Sequence, residues 1–288
     1  MDVGLTINQP TMPYEKLLVS INTIALVSTA SIFFSSCIET KSVFHYAYAP
    51  LTANAPFLKE KDELQFTTHV MTGERNDDAD RGGIIGVNMK GAYALSNHIG
   101  VMASYSAANE KEVYDFSNGA TTLKHKRKFA EAAIGYFIAA DQRKRLYFDI
   151  YAGYGTGSNN IYYVGYNNFH RTDVGRFFVQ SGISLVKNEF RLTGFLRTSF
   201  LSFKNIETNY TEEELRHYDV RLYGLEKEKI TSLEPTFALQ FPVSKLKWLR
   251  GHAQVGAAIL LNAPDLHYRE VLGGIGITIV PPIASKKK

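Results

Sequence analysis

The residue types best suited to chemistry are few and scattered. Cys37 is the only cysteine in 288 residues, so the chain forms no internal disulfide and no multi-thiolate metal site. Two polar stretches hold the other candidates. "NDDADRG" (Asn76–Gly82) supplies Asp77 and Asp78, and "FHRTDVG" (Phe169–Gly175) supplies His170 and Asp173. Paired aspartates facing an Asp–His couple can activate a water for hydrolysis. No distinctive motif surrounds these four residues, and acidic segments are common solvated surface, so the expectation is a protein that is not an enzyme. "DDAD" lacks the glycine and distal glutamate of a calcium loop. Neither a serine-nucleophile elbow, a phosphate loop nor a zinc spacing occurs, so no metal and no cofactor are expected.

The setting of Cys37 suggests a different use for its thiol. Leu17 to Ser36 reads "LLVSINTIALVSTASIFFSS", a run without charge that follows Lys16. Its length would allow a membrane helix, but its serines and threonines, its N-terminal place and its small residues before a cysteine are features of an export signal. The segment resembles a bacterial lipoprotein signal, with Phe34 where that family usually has leucine. The resemblance implies cleavage between Ser36 and Cys37 and lipid attachment at Cys37. The alternative is a small hydrophobe in an uncleaved anchor helix.

An exported chain without disulfides needs another source of rigidity, and a closed β-barrel is one. No long apolar run follows Ser36, but a transmembrane strand needs only about 10 residues with one apolar face. Alternation tests this. In "RLYFDIYAGYG" (Arg145–Gly155), Phe148, Ile150 and Tyr154 oppose Tyr147, Asp149 and Tyr151. In "EFRLTGFLRTSF" (Glu189–Phe200), Phe190, Leu192, Leu196 and Phe200 oppose Arg191, Thr193, Arg197 and Ser199. The period is 2, which predicts strands.

The same reading gives ten strands, near 61–71, 83–96, 98–109, 122–139, 143–157, 172–186, 189–204, 229–242, 248–262 and 268–280. Tight turns alternate with longer polar connections, as in outer-membrane barrels with short periplasmic turns and long outer loops. The predicted fold is therefore all-β: an antiparallel transmembrane barrel of about ten strands in an up-and-down meander. Its divisions are an export signal (1–36), a periplasmic lead (37–60), the barrel (61–280) and a basic tail (281–288). A soluble β-sandwich or lipocalin-like barrel alternates too, with its apolar face inward. Export, long strands and tyrosines near strand ends, such as Tyr93, Tyr105, Tyr136 and Tyr154, favour the outer membrane of a Gram-negative bacterium.

"YAPLTANAPFLKEKDELQFTTHV" (Tyr48–Val70) resembles the entry segment of small outer-membrane β-barrel proteins of the Bacteroidota, with Lys59-Glu60-Lys61-Asp62-Glu63 carrying the match. Those proteins often have lipoprotein signals, and many have no assigned activity. The chain departs from common barrels in having no aromatic C-terminal residue for the barrel-assembly machinery to read.

If apolar faces meet lipid, the opposite faces line the lumen. That set contains Glu63, Lys90, Arg127, Glu131, Asp149, Arg176, Arg191, Arg197, Glu234, Arg250 and His252, with His69, Gln180 and Gln254. Both signs occur, so mutual pairing into a polar plug is expected; a narrow solute path is the alternative. The basic run "KHKRK" (Lys124–Lys128) falls at the outward rim, where lipopolysaccharide phosphates rather than nucleic acid are the expected partner. Asn205–Glu228, with a helical look and a Thr211/Glu214 capping box, and Gly157–Arg171 are the expected partner-binding loops.

Overall fold

The structure is a computed structural model. It describes residues 48–49, 53–73, 79–116, 119–165, 168–213, 225–243, 246, 248–262 and 268–282. Cys37, Asp77, Asp78, residues 214–224 and the end of the basic tail lie outside these described residues.

The strands are β1 (Leu64–Gly73), β2 (Arg81–Ala94), β3 (Ile99–Phe116), β4 (Gly119–Ala139), β5 (Leu146–Val164), β6 (Phe169–Lys187), β7 (Phe190–Thr208), β8 (Ile230–Pro242), β9 (Leu249–Ala257, resumed at Ile259–Leu260) and β10 (Val271–Ile279). Each pairs antiparallel with the next, and β10 pairs back onto β1, from Phe66 opposite Ile279 to Thr72 opposite Gly273. The sheet closes as a ten-stranded meander, as expected. The gap in β9 keeps register, since Gly256 faces Thr236 and Ile259 faces Leu233. It falls beside Pro235, which brings no N–H to the ladder.

The polarity of the wall is inverted relative to a soluble barrel. Phe66, Met89, Ile134, Ile150, Leu196, Phe237, Val255 and Ile275 are all exposed, while Lys90, Glu131, Arg176, Arg197, Glu234 and Gln254 are buried. A surface this apolar suits lipid, so the barrel spans a membrane and the soluble alternative fails.

The wall is uneven in height. Strands β3 to β7 run 18–21 residues, whereas β1 has 10 and β10 has 9. Roughly 9–11 residues suffice to cross, so the long strands project beyond the bilayer. This corrects the expected loops at Asn109–Thr122 and Gly157–Arg171, which are largely hairpin. Above the apolar belt the outward positions become Lys111, Lys124, Lys126 and Asn160. The outward face is then polar, while the inward face mixes Glu110, Glu112 and His125 with Tyr114, Leu123 and Ile161, so the apolar-out alternation that marks a membrane strand disappears.

At the other end the turns are tight. Asp141 accepts from the N–H groups of Leu146 and Arg145, both at 2.7 Å, and these bonds hold its carboxyl below the usual range. Asn188, at φ 57°, takes the left-handed conformation in the β6–β7 turn. Short turns mark the periplasmic end.

Residues expected as a periplasmic lead run elsewhere. Tyr48, Ala49 and Ala53 to Leu58 are all buried, inside the barrel. Eight strands enclose just enough room for side chains. Ten leave space for one more extended segment, and the lead occupies it.

Candidate functional site: the filled lumen

At the periplasmic end the lead enters beneath Glu63, whose Oε2 accepts from the Lys59 N–H at 2.6 Å. Burial raises the Glu63 carboxyl, against the lowering effect of that bond. Arg191 lies over the Phe57 ring at 4.3 Å, and Phe57 meets Tyr147 edge-on at 4.8 Å. Arg250 donates to the Glu189 carbonyl at 2.6 Å. Leu58 packs with Met102, Phe137, Tyr151 and Phe178, which makes this level largely apolar.

In the middle, the lead backbone is gripped by side chains from several strands. Lys90 Nζ donates to the Ala53 carbonyl at 2.7 Å and to Gln254 Oε1 at 2.6 Å. Gln254 Nε2 donates to the same carbonyl at 3.0 Å, and Gln180 Nε2 to the Asn54 carbonyl at 2.8 Å. His252 stacks on His69 at 5.5 Å, beside Gln254. A backbone inside a wall must have its polar groups satisfied, and here wall amides and an ammonium group do so.

Above Lys90 lies an ion-pair cluster. Arg197 binds Glu131 at 3.1 Å; Arg176 binds Glu131 and also Glu234, at 3.5 Å to the latter. Two carboxylates meet two guanidiniums, so the cluster is neutral. Tyr48 joins it, donating to Glu234 at 2.6 Å and accepting from Arg176 at 2.9 Å. The Arg269 N–H donates to the Tyr48 carbonyl at 3.0 Å, and Tyr48 bridges Tyr268 in the β9–β10 connection.

A second cluster sits nearer the loop end. Arg269 binds both Glu110 and Glu112, and Arg127 binds Glu110 at 2.7 Å. Glu110, Glu112 and His125 bring ligand atoms within 4.8 Å of one another. The guanidiniums already stand where a cation would, and Arg127 also contacts His125 at 3.1 Å. The donor set suits ion pairing rather than a metal.

The expected lumen residues thus divide. Glu131, Arg176, Arg197 and Glu234 come together; Lys90, His252, Glu63 and Arg191 serve the lead; Arg127 belongs to the upper cluster. Asp149 stands apart, its carboxylate in the space that a Cβ on Gly182 would take, 2.7 Å from Oδ1. Arg250 is only half-buried. Sequence reasoning missed Glu110, Glu112, Arg269 and Tyr48. Of the rim nominees among the described residues, His170 is buried and bonded to Thr172 at 2.7 Å, while Asp173 accepts from Asn205 at 2.8 Å, so these two are not paired with each other.

No protein-family model matches the chain, and no curated protein matches it. Among solved structures, the translocator domain of the autotransporter NalP from Neisseria meningitidis is 14% identical at a TM-score of 0.42, over 76% of this chain and 88% of that one. The transport unit of the autotransporter AIDA-I from Escherichia coli is 10% identical at 0.40, over 78% and 91%. The outer membrane protein OprG from Pseudomonas aeruginosa is 9% identical at 0.35, over 77% and 97%. Closure and the outward apolar belt decide the class. The chain is an outer-membrane β-barrel.

Proposed function

We propose that this is a non-enzymatic outer-membrane barrel with a plugged lumen, whose projecting rim binds a partner or ligand. The observation that carries the reading is the lead: Ala53 and Asn54 are held mid-lumen by Lys90, Gln254 and Gln180. The neutral Glu131–Arg176–Arg197–Glu234 cluster closes the space beside it. Outside, Lys124, Lys126 and Lys128 face outward just above the apolar belt, with Lys111 opposite Lys124. Lipopolysaccharide phosphates are the partner this basic band fits. Assembly by the barrel-assembly machinery belongs to the same reading, as does lipid on Cys37. Palmitate incorporated by the wild type and lost in Cys37→Ser supports the lipid; equal labelling of both refutes it.

Planar-bilayer recording tests the plug. The refolded wild type should be silent, and a chain lacking Tyr48–Leu58 should conduct. Steady conductance of the wild type that rises when Arg191 and Arg197 are shortened would instead establish a small-solute channel.

A further inference from the structure

The wall holds the lead by more than its backbone. Every residue from Ala53 to Leu58 is buried, and the wall meets their side chains in different ways. Asn54 Nδ2 donates to the carbonyls of Gly91, at 3.0 Å, and Ala103, at 3.2 Å, which lie opposite each other on β2 and β3. Ala53 and Ala55 point the other way, as alternate residues of an extended chain do, and pack on Phe195 and Ala238 of β7 and β8. The Phe57 ring lies against the Arg191 guanidinium at 4.3 Å, and Leu58 packs among Met102, Phe137, Tyr151 and Phe178. The main chain is met as well. Lys90 and Gln254 serve the Ala53 carbonyl, Gln180 serves the Asn54 carbonyl, and Gln65 Oε1 accepts from the Phe57 N–H at 3.1 Å. Pro56, between them, has no N–H to satisfy.

Two properties separate this from packing that merely fills a void. The recognising groups all stand on strands, and the ladder that carries them closes β10 onto β1 without using the lead. The donors and acceptors are therefore in place whatever segment lies between them. The contacts are also selective in polarity. Both partners of the Asn54 amide nitrogen are carbonyl oxygens, so a carboxylate of the same shape would meet two like partial charges in place of two hydrogen bonds.

We propose that the middle of the lumen is a peptide-recognition site, and that Ala53–Leu58 occupies it as a built-in pseudo-ligand. The ligand class is an extended, uncharged peptide with asparagine between two small residues, followed by proline, an aromatic and an aliphatic residue. Larger residues beside the asparagine would overpack against Phe195. Charged ones would be buried without a partner. Tethering gives the lead an effective concentration on the order of millimolar, so a free peptide of the same sequence enters only when the lead is weakened. The site rests on the filled lumen of the proposed function, but not on that lumen being closed to solute.

The test uses the full chain carrying Asn54→Asp and Leu58→Ala, refolded in detergent with a fluorescein-labelled, C-terminally amidated peptide of the Ala53–Leu58 sequence. Fluorescence anisotropy should rise saturably with barrel concentration. The same peptide with Asn54→Asp should bind about tenfold more weakly or worse. The wild-type barrel, its site already filled, should bind neither. Equal binding of the two peptides, no binding of the native-sequence peptide, or wild-type binding equal to that of the variant overturns the proposal. Heat-modifiable gel mobility checks that the double variant folds. If it does not, the single variants decide: thermolysin should cut before Leu58 faster in folded Asn54→Asp than in Asn54→Ala, and equal rates overturn the proposal as well. Conductance enters neither readout, so the plug and the peptide site fail separately.

Discussion

Two ion-pair clusters of the same composition occupy two heights of one lumen. In the lower, Glu131 and Glu234 face Arg176 and Arg197; in the upper, Glu110 and Glu112 face Arg127 and Arg269. Each sums to zero charge. The lower cluster is built entirely on strands β4, β6, β7 and β8, and the wall outside it carries exposed Tyr154, Phe177 and Phe200. The upper cluster has one member, Arg269, between strands, and the wall beside it carries Lys111, Lys124 and Lys126. One cluster is ringed by lipid-facing aromatics, the other by a hydrated rim. Identical charges should therefore differ in what they hold together.

The largest effect is expected from removing the shared anion of the lower cluster. Glu131→Gln leaves Arg197 without its carboxylate partner and Arg176 with only Glu234. Breaking a buried pair from one side costs about 3–5 kcal/mol, read as a lower urea midpoint for the barrel refolded in vesicles. Glu110→Gln should cost less, about 1–3 kcal/mol, because, although Glu110 is itself buried, the outer face of its wall carries exposed lysines rather than lipid-facing aromatics. Equal losses would break the comparison. Adding Arg197→Met to Glu131→Gln should recover part of the loss, since the stranded cation is then gone.

A second prediction sharpens the contrast between wall and lead. A Cβ added at Gly100 would lie 2.7 Å from Leu58 Cδ1 and 2.9 Å from the Tyr151 hydroxyl. Gly100→Val should displace the lead at a cost of about 1–3 kcal/mol, while the strand pairing persists. The expected signs are conductance in a planar bilayer and faster proteolysis before Leu58, with heat-modifiable mobility retained. Adding Leu58→Ala should relieve the clash. A silent, protease-resistant Gly100→Val would mean that Leu58 does not rest against this wall.

The two clusters also differ in how far the sequence discloses them. All four lower residues can be named from alternation alone, because within the belt each inward charge sits between uncharged outward residues with at least one apolar neighbour, as Arg197 does beside Leu196. In the upper cluster only Arg127 was legible. Glu110 and Glu112 alternate with Asn109 and Lys111, so nothing in the pattern separates strand from loop. Arg269 takes its place through the tertiary fold, which local pattern does not encode. The lead was misread for a related reason: "YAPLTANAPFL" has the prolines and small residues of a linker. Its one telling property is that eleven consecutive residues carry no charge, which suits a chain whose carbonyls must be bound inside a wall.

The smallest effect belongs to the tight-turn end, far from both clusters. Asp141 is partly exposed, and its carboxylate accepts the Leu146 and Arg145 N–H groups across the β4–β5 turn. Those bonds favour the ionised form, so the folded-state pKa lies below the unfolded one. A group depressed in this way stabilises the fold above its unfolded pKa, about 3.9 for aspartate. The contribution is lost as pH falls through the lower, folded value. Asp141→Ala should therefore lower the urea midpoint slightly at neutral pH. The gap from wild type should narrow as the pH is taken below the ordinary aspartate range, because the wild-type carboxyl then protonates and surrenders its advantage. A gap that stayed constant from neutral to strongly acid solution would show that the turn depends on the shape of the side chain and not on its charge.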